Sequence, residues 1–355
     1  ALMAALQQAG VEAHPDDDGC QLEDVYELDR KGKLGAGMFA TVRLLRHRAT
    51  GERLAVKTLK LTMHIDGAGN VVGANLLALQ SELYGLCAGR GHPNVLLLRA
   101  VHETKVALHL VTEICSGGDL LQMLLQLRPN GLDDGALSSL GWHLLGALAH
   151  LHGAPRHLAH RDVKLENIMF AHPHAVEQLK LIDFGSCASF ASDPREDACP
   201  FTETDGTRFY ASPEKLARCY GAKADIWAAG VVLYVAAAGV RADGRADTPA
   251  AELMRQGDLG SLLQQPRHGH FSDGLRAALE ALLAVEVPCR PSAERAQEQI
   301  GWLSQRPPLP PARPPPPHFE PAVAPPPYEP STQSASGAAG PAAGAPTPAP
   351  EERNR

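Results

Sequence analysis

The sequence predicts an α+β fold of two unequal lobes, a small strand-rich one and a larger helix-rich one, followed by a disordered proline-rich tail. Three observations carry this. Before about Asp119 the apolar segments are short and bounded by turn residues, as in Leu54–Lys60 and Ala107–Thr112, which is the pattern of strands. After it, Leu137, Leu140, Leu144, Leu148 and Leu151 recur at spacings of three and four, the period of a helix that Asp133 or Asp134 would cap. The last fifty residues hold 17 of the 29 prolines. Each proline removes a backbone donor and fixes φ, so neither helix nor sheet continues there.

These boundaries divide the 355 residues into an N-terminal extension (1–24), a globular region (25–305) and the tail (306–355). The extension reads as a frayed helix and an acidic loop around Asp16-Asp17-Asp18. The globular region splits into lobes of about 25–114 and 115–305. The chain opens on Ala, so a processed or truncated start is expected.

Composition excludes several classes. A net charge of −7 gives no basis for non-specific nucleic-acid binding. The longest apolar run, Ile226 to Val240, falls short of the ~18–20 residues of a membrane span and reads as a buried helix. No basic region precedes the apolar start, so no secretory signal is visible. Seven cysteines without a C-x-x-C pair point to reduced thiols in a cytoplasmic or nuclear protein, not to a disulfide framework or a zinc site.

The chemistry lies in motifs that follow one another along the chain. Gly35-Ala36-Gly37-Met38-Phe39-Ala40-Thr41-Val42 sits between strand-like segments, where glycines let backbone approach a polyphosphate. Leu54-Ala55-Val56-Lys57 places a lysine on an apolar strand, where it needs a counter-charge or a phosphate. Glu82 is the only acid of the helical stretch Leu76–Cys87, ahead of His92-Pro93-Asn94-Val95, and is the expected partner. The stretch from Leu61 to Asn75 reads as a loop insertion. His160-Arg161-Asp162-Val163-Lys164-Leu165-Glu166-Asn167 follows an apolar helix, and Asp183-Phe184-Gly185 ends the strand Leu179–Ile182. Phosphoryl transfer needs a carboxylate to orient the attacking hydroxyl and oxygen ligands to hold Mg²⁺ against phosphates. Asp162, Asn167 and Asp183 supply both, and Lys164 adds a mobile point charge.

With these motifs in this order, residues 26–305 resemble the protein kinase family. The resemblance implies its bilobal fold and its cofactors, ATP and Mg²⁺. It implies that Asp162 is the base and that Asn167 and Asp183 bind the metal. Lys57, paired with Glu82, would grip the α- and β-phosphates. Gly35, Ala36 and Gly37 would cover the phosphates, and Val42, Ala55 and Met169 would sandwich the adenine. Thr112 is the expected gatekeeper, with Glu113 to Cys115 as the hinge. Ala40 stands where the family has a third glycine. Lys164 and Thr207, in Gly206-Thr207-Arg208-Phe209-Tyr210-Ala211-Ser212-Pro213-Glu214, resemble serine/threonine kinases, with the Thr207 hydroxyl bonding near Asp162 and Lys164. Glu214 would pair with Arg290, and Asp225 would support the catalytic-loop backbone.

Regulation and partners follow from the same resemblance. Arg161 calls for an anion, and the usual phosphothreonine position holds Glu203. Either Glu203 is a permanent anion, or Thr202 or Thr204 is phosphorylated. Cys187 and Cys199 read as ordinary small residues in preference to a redox switch. Asp119 and Glu166 match positions that hold substrate arginines. In the tail, Pro325-Pro326-Pro327-Tyr328 fits a WW-domain ligand, and Pro308-Leu309-Pro310-Pro311-Ala312-Arg313 fits an SH3 ligand. The function expected is an ATP-dependent serine/threonine kinase acting on proteins. The alternatives are a pseudokinase scaffold acting through the tail and a small-molecule kinase of related fold.

Overall fold

Strands come first, as their short bounded runs require. β1 (Glu12–His14), α1 (Leu22–Val25), β2 (Tyr26–Ala36), β3 (Ala40–His47), β4 (Arg53–Lys60), β5 (His64–Ile65) and β6 (Val71–Val72) lead to α2 (Leu76–Ala88), β7 (Leu98–Thr104) and β8 (Ala107–Glu113). Helices then dominate: α3 (Leu120–Gln126), α4 (Asp134–His152), α5 (Pro213–Leu216), α6 (Lys223–Ala238), α7 (Thr248–Arg255), α8 (Leu259–Leu263), α9 (Asp273–Leu282) and α10 (Ala293–Gln299). Between α4 and α5 lie four short strands, β9 (Leu158–Ala159), β10 (Ile168–Phe170), β11 (Leu179–Leu181) and β12 (Ala188–Ser189). The structure is a computed structural model describing residues 6, 11–15, 19–36, 40–60, 64–65, 71–72, 76–127, 130–173, 175–191, 198–203, 206–240 and 248–305. The proline-rich tail and both of its peptide motifs lie outside the described residues.

The six-stranded sheet runs β1-β7-β8-β4-β3-β2. Alternation along β4 explains its two roles. Leu54 and Val56 join Tyr26, Leu45, Ala100 and Val111 in a small core on one face. Ala55, Lys57 and Leu59 point the other way, into a cleft facing the helical lobe. The strand order corrects the expectation for residues 1–24. Glu12–His14 is a strand and not part of a frayed helix: it pairs in parallel with β7, and Leu6, Val11 and Ala13 enter the main core, while the acidic stretch Asp16-Asp17-Asp18 lies outside the described residues. Three residues are too few to show alternation by themselves; the β7 edge supplies their hydrogen bonds. Within the expected 61–75 insertion, β5 and β6 form a small antiparallel ribbon.

In the helical lobe, Asp133 caps α4 by accepting from the Ala136 N–H at 2.8 Å. All five leucines of the α4 stripe are buried. The apolar run from Ile226 becomes the buried helix α6, and no helix among the described residues is long and apolar enough to cross a membrane.

One ion pair ties the end of the chain's globular part to its middle. Arg290 is 0% exposed. Its guanidinium donates to Glu214 at 2.6 and 3.3 Å, to the Ala284 and Lys223 carbonyls, and lies 5.1 Å over the Trp227 ring. With its donors met on several sides, the pair is tolerated away from water, but removing one partner strands the other. Arg290→Met is therefore expected to lose about 3–5 kcal/mol in urea unfolding. Adding Glu214→Leu should recover part of that loss; a double variant no more stable than the single would contradict this account.

Candidate active site

The cleft between sheet and helices encloses about 830 Å³. On its sheet side, β4 presents Lys57. Its ammonium lies 2.9 Å from Glu82 of α2 and 3.0 Å from Asp183, after β11. One cation thus serves two carboxylates of unequal burial. Burial pushes Glu82 up, Lys57 pulls it back, Asp183 adds to the rise, and the carboxyl stands at about 7. Burial would raise Asp183 too, but there Lys57 prevails and holds the carboxyl below its ordinary range. Burial alone would lower Lys57; Glu82 and Asp183 outweigh it and keep the ammonium raised.

The approach of α2 to Asp183 depends on a residue the motifs do not flag. A Cβ at Gly85 would lie 2.4 Å from Phe184 Cβ. Only glycine lets the helix close over the buried Phe184 and bring Glu82 to Lys57. Its trace in the sequence is a glycine inside a helix, where it costs about 1 kcal/mol relative to alanine.

On the helical side, the backbone of the 160–167 loop is held from below. The Asp225 carboxylate accepts from the His160 and Arg161 N–H groups, both at 2.8 Å, and meets His152 Nε2 at 2.9 Å. Burial works against this charge, but His152, His160 and the backbone donor outweigh it and hold the carboxyl low. Arg161 sits at φ +68°, an uncommon value for a side-chain-bearing residue. Its N–H is tied to Asp225, and its carbonyl accepts from Lys215 Nζ at 2.5 Å. Lys215 is a second unflagged residue, a buried lysine just after Pro213-Glu214.

Asp162 is fixed by three hydrogen bonds from two side chains. Lys164 Nζ meets its Oδ2 at 2.6 Å, Asn167 Nδ2 meets the same oxygen at 3.0 Å, and Asn167 Nδ2 also reaches the Asp162 carbonyl at 2.8 Å. The Ile182 N–H donates to the Asn167 carbonyl at 3.0 Å, so Asp183 follows directly on the residue bonded to Asn167. Hard oxygen donors of this kind, an amide and a carboxylate, suit Mg²⁺. Gly206, at φ +95°, passes so close that a Cβ there would lie 2.9 Å from Asp162 Oδ1. Thr207 departs from expectation. It lines a small cavity with Asp162, but it is exposed, and no hydrogen bond joins its hydroxyl to Asp162 or Lys164 among the described residues. Its extended backbone starts the turn Arg208–Tyr210, and Lys164 contacts Asp162 directly instead.

The Arg161 side chain turns toward the segment before Gly206. It donates to Glu203 at 2.9 Å and to the Tyr220 hydroxyl at 2.9 Å, and lies 4.8 Å over the Phe201 ring. The Thr202 hydroxyl donates to the other Glu203 oxygen at 3.2 Å. Thr204 lies outside the described residues. Cys187 is buried, donates to the Ser81 carbonyl, and has its thiol pushed up by burial, which suits a core residue.

Gly35, Val42, Ala55, Thr112, Glu113, Cys115 and Met169 all line the cleft. Ala36 pairs with Thr41 at the end of β2; its side chain, like all of Gly37, lies outside the described residues. The Glu113 carboxylate accepts from Lys180 Nζ at 2.7 Å and the Leu97 N–H at 2.8 Å, and its backbone is engaged too, the N–H with the Leu97 carbonyl and the carbonyl with the Thr112 hydroxyl. The Asp119 carboxylate caps α3 through the Gln122 N–H.

The family model described as protein kinase domain matches residues 28–300. Calcium-dependent protein kinase 10 of Oryza sativa subsp. japonica is 34% identical over 220 residues, which is 62% of this chain and 34% of that protein. Calcium-dependent protein kinase 1 of Arabidopsis thaliana is 33% identical over 219 residues, 61% of this chain and 33% of its own length. The chain thus spans about a third of the length of these relatives.

The raised Glu82 makes a pH test. Folding lifts its carboxyl from 4.5 to about 7. Its stabilising share is therefore complete below the unfolded value and is lost as pH climbs through 7. Between those limits the parent should lose on the order of 2–3 kcal/mol relative to Glu82→Gln in nucleotide-free unfolding. Parallel pH profiles for the two would contradict the assignment.

Proposed function

The chain belongs to the protein kinase domain family, and from that premise we propose that it transfers the γ-phosphoryl of ATP to serine and threonine hydroxyls of proteins. The observation that carries the reading is the joining of two clusters. Lys57, Glu82 and Asp183 meet on the sheet side of the cleft, and Asp162, Lys164 and Asn167 on the helical side, linked through the Ile182–Asn167 hydrogen bond. Phosphoryl transfer is mostly positioning and charge neutralisation, and this arrangement provides for both.

In the proposed mechanism the adenine enters between Val42, Ala55 and Met169. Lys57, kept charged by its two carboxylates, grips the phosphates. Asn167 and Asp183 would hold Mg²⁺, which when bound neutralises phosphate charge. Asp162 orients the substrate hydroxyl and accepts its proton, and Lys164 balances the charge between base and incoming phosphoryl. Lys164 supports serine/threonine over tyrosine specificity. The complete set of polar residues leaves the pseudokinase scaffold without support.

Glu203 is proposed as a built-in anion for Arg161, so that activity does not wait on phosphorylation of Thr202 or Thr204. Glu166, exposed beside Asn167, is the better placed acid for a substrate arginine, since the Asp119 carboxylate caps α3. WW- and SH3-type partners of the tail are proposed on its sequence alone.

Two measurements test this. Asp162→Asn should lower radiolabel transfer to a generic protein substrate by about 10²–10⁴-fold while ATP binding persists; equal transfer would end the catalytic assignment. Phosphatase-treated parent should stay active, and Glu203→Gln should lower that activity by about 10–100-fold, the range of one hydrogen bond to a charged group. Complete inactivity after phosphatase treatment would overturn the role of Glu203.

A further inference from the structure

At the edge of the sheet, β1 and β7 run in parallel with His14 opposite His102. This register stacks the two imidazoles, with centroids 4.4 Å apart and 19° between planes. Cys20 lies at the same point, directly after Gly19, whose φ is +76°. One nitrogen from each ring and the Cys20 sulfur all lie within 4.8 Å of one another. None of the three lines the catalytic cleft.

We propose that His14, Cys20 and His102 form a zinc-binding site that fastens the N-terminal strand to the sheet. Two imidazoles and a thiol are the borderline-soft donor mix that zinc takes, and one that magnesium and calcium do not. Bond lengths of about 2.0–2.3 Å place donors of a tetrahedral site some 3.3–3.6 Å apart. The rings, 4.4 Å apart and 19° from parallel, must unstack for their in-plane lone pairs to converge on one ion. Metal-bound imidazoles commonly hold a carboxylate on the other ring nitrogen. The Glu12 carboxylate lies 3.1 Å from His14 Nε2. Burial is graded to suit entry of an ion: His102 is 1% exposed, while His14 and Cys20 are half-buried. On binding, the thiol proton leaves to solvent, the sulfur and two neutral imidazoles donate electron pairs to Zn²⁺, and a water or Glu12 fills the fourth position. The thiol lies 4.0 Å from the Gln21 carbonyl, a long contact.

The consequence is local. β1 has three residues and lies on the sheet edge, so its pairing with β7 rests on few hydrogen bonds. A metal bond across that pair converts a weak edge contact into a clamp.

The test uses the full chain stripped of metal. Zn²⁺ affinity is measured by competition with a chelating dye, and Co²⁺ serves as a spectroscopic stand-in. The expected result is one equivalent of Zn²⁺ bound more tightly than about 1 µM. Co²⁺ should give a thiolate charge-transfer band, and Zn²⁺ should raise the unfolding temperature by several degrees. Cys20→Ser and His14→Gln should each weaken Zn²⁺ binding at least about tenfold, and Cys20→Ser should abolish the Co²⁺ band, with kinase activity unchanged. His102 is avoided as a test position because its burial makes its removal a test of the fold. No Co²⁺–thiolate band in the parent would overturn the proposal. So would equal affinity and band in either variant, which would assign the metal to another thiol such as Cys199, Cys219 or Cys289.

Discussion

Asp225 is the residue on which the catalytic side of the cleft depends. Its buried carboxylate accepts two successive N–H groups of the 160–167 loop and faces His152 from α4. A buried carboxylate is costly unless its lone pairs are met, and here the groups that meet them are the loop itself. The loop therefore has one low-energy position. From it follow the left-handed backbone of Arg161, the placement of Asp162, and the bond from Asn167 to Ile182 that brings Asp183 alongside. The Arg161 carbonyl is held in turn by Lys215, so this strained residue is restrained at both ends of its peptide units.

Charge is distributed through the site by unequal burial. Lys57 stands between Glu82 and Asp183, and the deeper carboxylate gains less from it than it loses to desolvation. Glu82 near neutrality is thus a group whose ionisation depends on what else occupies the cleft. Arg161 and Arg290 are also both buried and both paired with glutamate, but they differ in setting. Arg290 is surrounded by carbonyls and the Trp227 ring and joins elements distant in sequence. Arg161 reaches across to a segment that carries Thr202 and Glu203, where the anion is a single side chain at the loop's edge. The first is architecture; the second joins the catalytic loop to the segment before Gly206.

Much of this was legible in the chain. Polar residues in apolar surroundings, Lys57 on β4 and Glu82 on α2, announce a need for partners, and the strand and helix periods place them. Asp133 was readable as a cap because capping is local. Other features carried no local signal. Gly85 matters because Phe184, 99 residues later, fills the space its missing Cβ leaves. Lys180 matters because it pairs with the Glu113 carboxylate at the cleft. β1 was unreadable because a three-residue strand owes its existence to β7.

The sequence by itself determined the two-lobed fold and the identities of the polar residues in the cleft. Both rest on short-range information: residue period, turn chemistry, and charged groups set among apolar neighbours. Tertiary structure alone decided which atoms of those residues are engaged. It paired the Glu113 carboxylate with Lys180, left the Thr207 hydroxyl off Asp162, paired Arg161 with Glu203, and stacked His14 on His102. Each of those outcomes depends on distances between segments far apart in the chain, and only packing sets such distances.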